Sequence, residues 1–288
     1  MDLTKLYDYY TPPVTGPTLA SGYWSCVYAH ATSIDDVVKI VYFNPDLVRL
    51  SRVIVSMEVN GSILANTLGV SCPEIKDARI SSDMRTKDDV SGWIQYSKIE
   101  GKPKTKNTIE NSPLLLDELY KLHRCKYVKP VDPVDAYTRL DADTDYIYCN
   151  GTSEEIALLK ELLNLKNKDM PKERYLVHGD IHPGNILWND DDSKLYLVDW
   201  SFWEYGDPAK EFFYRYALPE WSEYLRTNLL EMHPDPIYKQ ALSLHRVGIY
   251  SSLYSLANIV EDRVVSSSVC KKKYETQLER SLSSVQFT

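Results

Sequence analysis

Cysteine is scarce in this 288-residue chain: Cys26, Cys72, Cys125, Cys149 and Cys270 are scattered, odd in number and without a CxxC pair. That usage excludes a disulfide framework and a structural zinc site, and predicts reduced thiols in a cytoplasmic protein. No apolar run approaches the ~18 residues that a membrane-spanning helix needs. The opening MDLTKLYDYYTPP has neither a basic n-region nor an apolar h-region, so no secretory signal and no membrane partner are expected. Positive charge is also in deficit, 33 Lys and Arg against 41 Asp and Glu, a net charge of −8. A nucleic-acid partner is not expected, because such proteins carry a basic stripe. The one basic cluster, Lys271-Lys272-Lys273, reads as a solvated helix face. Internal repeats and low-complexity tracts are missing too. The remaining composition, 43% hydrophobic and 26% charged, is that of a globular chain long enough for one large domain or two lobes.

The texture changes once along the chain. Residues 1 to about 100 are rich in Val, Ile, Tyr, Ser and Thr in short runs, whereas longer helical patterns follow from about residue 110. In the first part, 22–29 and 36–42 read as strands joined by a polar turn, and Leu50 to Leu68 as a helix despite Gly61 inside it. In the second, Ser112 and Pro113 open a helix in N-cap and N1 style, with Leu115, Leu116, Leu119 and Leu122 as its apolar stripe. His123 at its end reads as a hydrogen-bonded core residue. Thr152 and Glu155 have capping-box spacing, followed by Ile156, Leu159 and Leu163 on one face. Helical patterns also run over 221–230 and from Pro236 to Val260, where Ile249, Leu253, Leu256 and Ile259 are core.

The chemistry is concentrated in Val177-His178-Gly179-Asp180-Ile181-His182-Pro183-Gly184-Asn185-Ile186-Leu187-Trp188 and in Leu197-Val198-Asp199-Trp200. Asn185 stands five residues after Asp180, and Asp199 stands 14 after Asn185. Phosphoryl transfer needs a carboxylate to orient the attacking hydroxyl and oxygen ligands to hold Mg²⁺ against nucleotide phosphates, and these positions supply all three groups. Ile186–Trp188, a turn-rich Asn189-Asp190-Asp191-Asp192-Ser193 and a run from Lys194 to Val198 predict a hairpin with Asn185 before its first strand and Asp199 at the end of its second. His178 and His182 have the i, i+4 spacing of helical zinc ligands, but Gly179, Pro183 and Gly184 exclude a helix. His182 is left without assigned chemistry.

HGDIHPGNILW together with LVDW resembles the aminoglycoside phosphotransferase superfamily, which includes choline, homoserine, fructosamine and macrolide kinases. Protein kinases carry Arg where Gly179 stands, and Phe-Gly where Trp200-Ser201 stand. Both departures point to a small-molecule kinase. Gly206-Asp207-Pro208-Ala209-Lys210-Glu211 resembles the family's DPAxD segment, with Glu211 in place of Asp and Asp207 as a helix N-cap.

The resemblance implies an α+β, bilobal protein-kinase-like fold: a β-rich N-lobe over 1–100 and a mainly helical C-lobe over 101–288, with the nucleotide between them. It gives Asp180 the role of base, Asn185 and Asp199 that of Mg²⁺ ligands, and His178 that of support for the catalytic loop. By composition alone, Lys39 in Val37-Val38-Lys39-Ile40-Val41 is either on an exposed strand face or aimed at phosphate. The resemblance selects the phosphate, with Glu58 as partner, and the pattern around Glu58, Ile63, Leu64, Leu68, Gly69 and Pro73 agrees. Gly22 to Ala29, with Ser25, resembles the hairpin that covers the phosphates, although of that pattern's glycines only Gly22 remains. Ser97 and Ile99 fall in the segment whose backbone groups pair with the nucleotide base, which leaves ATP and GTP equally open.

The acceptor implied is a hydroxyl on a small molecule: an aminoglycoside- or macrolide-like antibiotic, an amino alcohol or a sugar. Trp203, Glu204, Tyr205, Glu261 and Asp262 are expected to grip it, because an aromatic wall with carboxylates suits an amine. The alternatives are a kinase acting on a protein or lipid, and a pseudokinase sensor. The presence of Lys39, Asp180, Asn185 and Asp199 together argues against the sensor.

Overall fold

The computed structural model describes residues 11–21, 25–43, 48–81, 89–103, 112–126, 138–168, 173–191, 193–213, 219–264 and 271–285. The chain divides into two compact units, Met1–Thr105 with Pro183–Trp203 and Lys106–His182 with Glu204–Thr288. The units are not contiguous in sequence: the segment carrying Asn185 and Asp199 belongs with the N-terminal strands.

The first unit is built on a five-stranded antiparallel sheet of β1 (Val14–Ser21), β2 (Ser25–His30), β3 (Asp36–Tyr42), β4 (Ile75–Ile80) and β5 (Val90–Ser97), in the order β1-β2-β3-β5-β4. Apart from Lys39 the run Val37 to Val41 is apolar without alternation, because β3 lies inside the sheet and is covered on both faces. Val38 and Ile40 pack with Trp93 on one side, and Lys39, paired in register with Val27 and Ile94, points to the other.

Helix α1 (Val48–Thr67) packs on β4 and β5. Gly61 does not break it. A Cβ there would stand 2.3 Å from Cδ1 of Trp203, so the glycine makes room for an indole, which outweighs the roughly 1 kcal/mol that glycine costs a helix. A two-residue strand β6 (Lys102–Pro103) pairs with β8 (Ile186–Trp188), which pairs with β9 (Leu195–Leu197). That is the hairpin expected between Asn185 and Asp199.

The second unit is mainly helical: α2 (Ser112–His123), α3 (Arg139–Asn150), α4 (Ser153–Lys168), α5 (Pro219–Met232), α6 (Pro236–Ala241), α7 (Leu244–Val264) and α8 (Lys271–Leu282). Strands β7 (Tyr175–Val177) and β10 (Glu204–Gly206) pair antiparallel within it. The capping box at Thr152 and Glu155 forms, each side chain accepting from the other's backbone N–H at 3.3 and 2.7 Å. Its core joins Ile147, Leu159 and Leu162 to Ile249, Leu253, Leu256 and Val260. The pattern from Pro236 to Val260 is two helices rather than one. The break falls at Leu242–Ser243, where the Ser243 hydroxyl accepts from the Arg246 N–H at 3.4 Å, competing with the helical hydrogen bonds as serine does. Among the described residues no helix is long and apolar enough to cross a membrane, and the four described cysteines are free.

Candidate active site

In the first unit Lys39, Glu58 and Asp199 form one cluster, with Lys39 and Glu58 buried and Asp199 partly exposed. Lys39 Nζ lies 2.7 Å from Glu58 Oε2 on α1 and 3.1 Å from Asp199 Oδ1. Burial alone would lower the lysine's pKa, but the charges of Asp199 and Glu58 carry it above the ordinary lysine range, so Lys39 is held charged. Burial, with Asp199 adding to it, pushes Glu58 upward against the pull of Lys39. Asp199 stands two residues after the end of β9 and has φ 65 and ψ 67, the one non-glycine residue with positive φ among those described. A left-handed aspartate is a strained position of the sort that functional sites retain.

Asn185 precedes β8, and its carbonyl accepts the Val198 N–H at 3.0 Å. That bond sets Asn185 across the hairpin from the residue next to Asp199. The two donors offered, an amide oxygen and a carboxylate, are the hard ligands that Mg²⁺ takes while keeping waters and phosphate oxygens. Among the described residues no three His, Cys, Asp or Glu side chains group as they would to hold a metal ion by themselves.

Two side chains that the sequence did not single out complete the cluster. The Tyr96 hydroxyl on β5 hydrogen-bonds Glu58 Oε1, and Ser201 Oγ stands 2.9 Å from Glu58 Oε2 and 2.6 Å from Asp199 Oδ1. Burial and the neighbouring Glu58 raise the Tyr96 pKa well above its usual value, so it keeps its proton and donates it to Glu58. Ser25 begins β2, Ser97 ends β5 and Ile99 follows it. Gly22, with Tyr23 and Trp24 of the expected phosphate hairpin, lies outside the described residues.

In the second unit the loop after β7 carries Asp180. Gly179 takes φ 81, which explains a glycine there. The backbone N–H groups of His178 and Gly179 both donate to Glu211, the second at 3.3 Å. Glu211 is fully buried, and its carboxylate holds the loop from behind. Burial would raise its pKa, but His123 and His178 hold it below the usual glutamate range, with His123 Nε2 3.8 Å away. The His178 ring accepts the Asp180 N–H at 3.3 Å, so His178 does support the loop. His123 bonds the Tyr238 hydroxyl, a core histidine as read from sequence. Asp180 is 8% exposed, with His182 Nε2 at 3.8 Å from its carboxylate.

Asp207 caps the following turn through the Ala209 N–H at 3.0 Å, and beyond that cap it forms a buried ion pair with Arg246 of α7.

The residues expected around the acceptor each have a place in the scaffold. Trp203 lies in the first unit, donating its indole N–H to the Met57 carbonyl at 2.7 Å and filling the space at Gly61, so it anchors α1. Glu204 is paired with Lys210 at 2.8 Å, and the Tyr205 hydroxyl meets Cys125 Sγ at 3.6 Å. Glu261 and Asp262 sit in the last turns of α7. Aromatic and acidic spacing marked them, and the same spacing serves scaffold packing.

A charged strand lysine paired with a helix glutamate, a hairpin presenting Asn and Asp, and a loop carrying Asp180 define a phosphotransferase of the kinase type. The chain belongs to the phosphotransferase enzyme family, whose model matches residues 63–235. The match takes in the Asp180 loop, Asn185 and Asp199; Lys39 and Glu58 lie before it. No curated protein matches the chain by sequence.

The GDP complex of an aminoglycoside 2'-phosphotransferase is similar at 12% identity and a TM-score of 0.62, over 94% of this chain and 92% of that one. A thermostable aminoglycoside phosphotransferase APH(4)-Ia with ADP and hygromycin B is similar at 14% and 0.60, over 94% of each. Choline kinase LicA from Streptococcus pneumoniae is similar at 12% and 0.61, over 94% and 93%. At these identities the likeness establishes the kinase-like fold.

One prediction arises from Glu211. Glu211→Gln removes the charge and one of the two acceptors that hold the catalytic loop, and hydrogen bonds to charged groups contribute about 1.5–3 kcal/mol. Steady-state kinetics are expected to show kcat lowered about 10–100-fold with nucleotide KM little changed. An unchanged kcat removes Glu211 from that role.

Proposed function

We propose that this chain transfers the γ-phosphoryl group of ATP or GTP to a hydroxyl of a small molecule, drawn from aminoglycoside- or macrolide-like antibiotics, amino alcohols and sugars. The observation that carries the reading is the buried Lys39–Glu58 pair with Asp199 in contact. A strand lysine kept charged by two carboxylates is equipped to receive α- and β-phosphate oxygens. The nucleotide complexes of the similar aminoglycoside kinases, with GDP and with ADP, support the same use here.

In this reading Asp180 accepts or orients the proton of the acceptor hydroxyl, His178 and Glu211 hold its loop, and Asn185 and Asp199 hold Mg²⁺. The cation, when bound, offsets charge on the phosphate oxygens. In this reading the acceptor lies in the cleft lined by Leu140, Asp143, Gly179, Lys210, Phe213 and Tyr250, since Gly179 immediately precedes Asp180.

The test is ADP or GDP release by the purified chain across a panel of aminoglycosides, macrolides, amino alcohols and sugars, with phosphate traced to the product. Phosphate on a protein or lipid instead, or nucleotide binding with no turnover, selects one of the other readings. A second measurement addresses the metal ligands. Asp199→Asn and Asn185→Ala are expected to weaken nucleotide binding in Mg²⁺ by about tenfold or more, because each removes a hard oxygen donor from the cation or weakens it. Titrations with and without Mg²⁺ check this; an unchanged metal dependence in both variants refutes the assignment.

A further inference from the structure

The Lys39 ammonium and the Ser201 hydroxyl bridge the same two carboxylate oxygens. Lys39 Nζ is 2.7 Å from Glu58 Oε2 and 3.1 Å from Asp199 Oδ1. Ser201 Oγ is 2.9 Å and 2.6 Å from those same two atoms. We infer that Ser201 is a positioning residue: it donates to the Asp199 carboxylate and fixes it for the cation. The inference rests on the reading of Asp199 as a metal ligand.

A hydroxyl carries a single proton, so Ser201 donates to one carboxylate at a time. The 2.6 Å contact with Asp199 falls in the range of charge-assisted O–H···O⁻ bonds, and it marks Asp199 as the acceptor. Lys39 Nζ and Ser201 Oγ both meet Asp199 at Oδ1. The local backbone serves the same end. Asp199 is held left-handed, the Trp200 indole donates to the Leu197 carbonyl at 3.0 Å just before it, and the Trp203 indole donates to Met57 just after it. Ser201 lies in the short turn Trp200–Phe202 between these two anchors and is 1% exposed. A buried hydroxyl there replaces a hydrogen bond that solvent cannot supply.

Calorimetric titration of the full chain with ADP, in saturating Mg²⁺ and in EDTA, tests this without relying on turnover. Ser201→Ala is expected to lose about tenfold or more in affinity in Mg²⁺ while staying within about twofold of wild type in EDTA. Ser201→Thr, which keeps the hydroxyl, is expected to recover to within about threefold. Ser201→Cys fills the volume with a weak donor and is expected to behave as the alanine variant; it carries the comparison if alanine does not fold. Tyr96→Phe removes a bond to Glu58 alone, and is expected to lower affinity equally in both conditions. Equal losses in Mg²⁺ and EDTA for the Ser201 variants, or no loss, overturn the inference and leave Ser201 a packing residue. Wild-type affinity that does not respond to Mg²⁺ overturns the metal-ligand reading of Asp199 and this inference with it.

Discussion

Replacing Asp180 by alanine is expected to lower kcat by about 10²–10⁴-fold, the usual contribution of a positioned base, with nucleotide affinity within about twofold of wild type. The separation follows from where the groups are built. Lys39, Glu58, Asn185 and Asp199 belong to one compact unit, and Asp180 stands on the β7 loop of the other, braced by Glu211. Removing the Asp180 carboxylate leaves the Lys39 pair and the Asn185–Val198 bond in place. Asp180→Asn keeps the shape and cannot take a proton, so it is expected to match alanine; a near-normal asparagine variant assigns Asp180 to orientation alone. His182 lies 3.8 Å from the same carboxylate and is the other group able to move a proton. His182→Gln is expected to cost less than tenfold. Steady-state kinetics with a separate nucleotide titration decide the matter, and kcat within about threefold of wild type in Asp180→Ala removes it as the base.

What could be read from the sequence was whatever is local or carried by a motif. The Thr152–Glu155 box, the α2 leucine stripe and the 186–197 hairpin each depend on neighbours a few residues away, and each formed. The Lys39–Glu58 contact spans 19 residues and was accessible only because the kinase resemblance called for it. Tyr96 and Ser201 were missed for a physical reason. A lone tyrosine or serine has many uses, and their bonds to Glu58 close over 38 and 143 residues. Trp203 and Glu204 looked like a binding wall, but a tryptophan has as much to gain from filling the space at Gly61, and a glutamate from a buried lysine. Gly61 itself looked like a weakness in α1 because its partner is 142 positions away in the chain.

Asp207 was legible as a helix cap, yet its larger role is the ion pair with Arg246, and breaking that pair is expected to have the largest effect on stability. Arg246 Nε donates to Asp207 Oδ2 at 2.7 Å, its Nη2 donates to the same oxygen, and Asp207 Oδ1 takes the Ala209 N–H. Both side chains are 4% exposed. Arg246→Met leaves a buried carboxylate without its cation, which costs about 3–5 kcal/mol out of the ~5–15 kcal/mol typical of a domain. Asp207→Asn in the same chain removes the stranded charge and is expected to recover part of the loss.

The pH dependence has a definite sign. Burial already raises the Asp207 pKa despite Arg246, and the variant raises it further. A carboxylate whose folded pKa exceeds its unfolded value penalises folding fully above the folded pKa, and the penalty fades as pH falls toward the unfolded value near ~3.9. Denaturant unfolding at neutral and mildly acidic pH should therefore show the Arg246→Met deficit shrinking in acid relative to wild type. Since Glu211 stands four residues beyond Asp207 on the same turn, the variant is also expected to loosen the Asp180 loop and lower kcat. A deficit under about 1 kcal/mol, or one that does not change with pH, shows that the pair is no more than a surface-like contact.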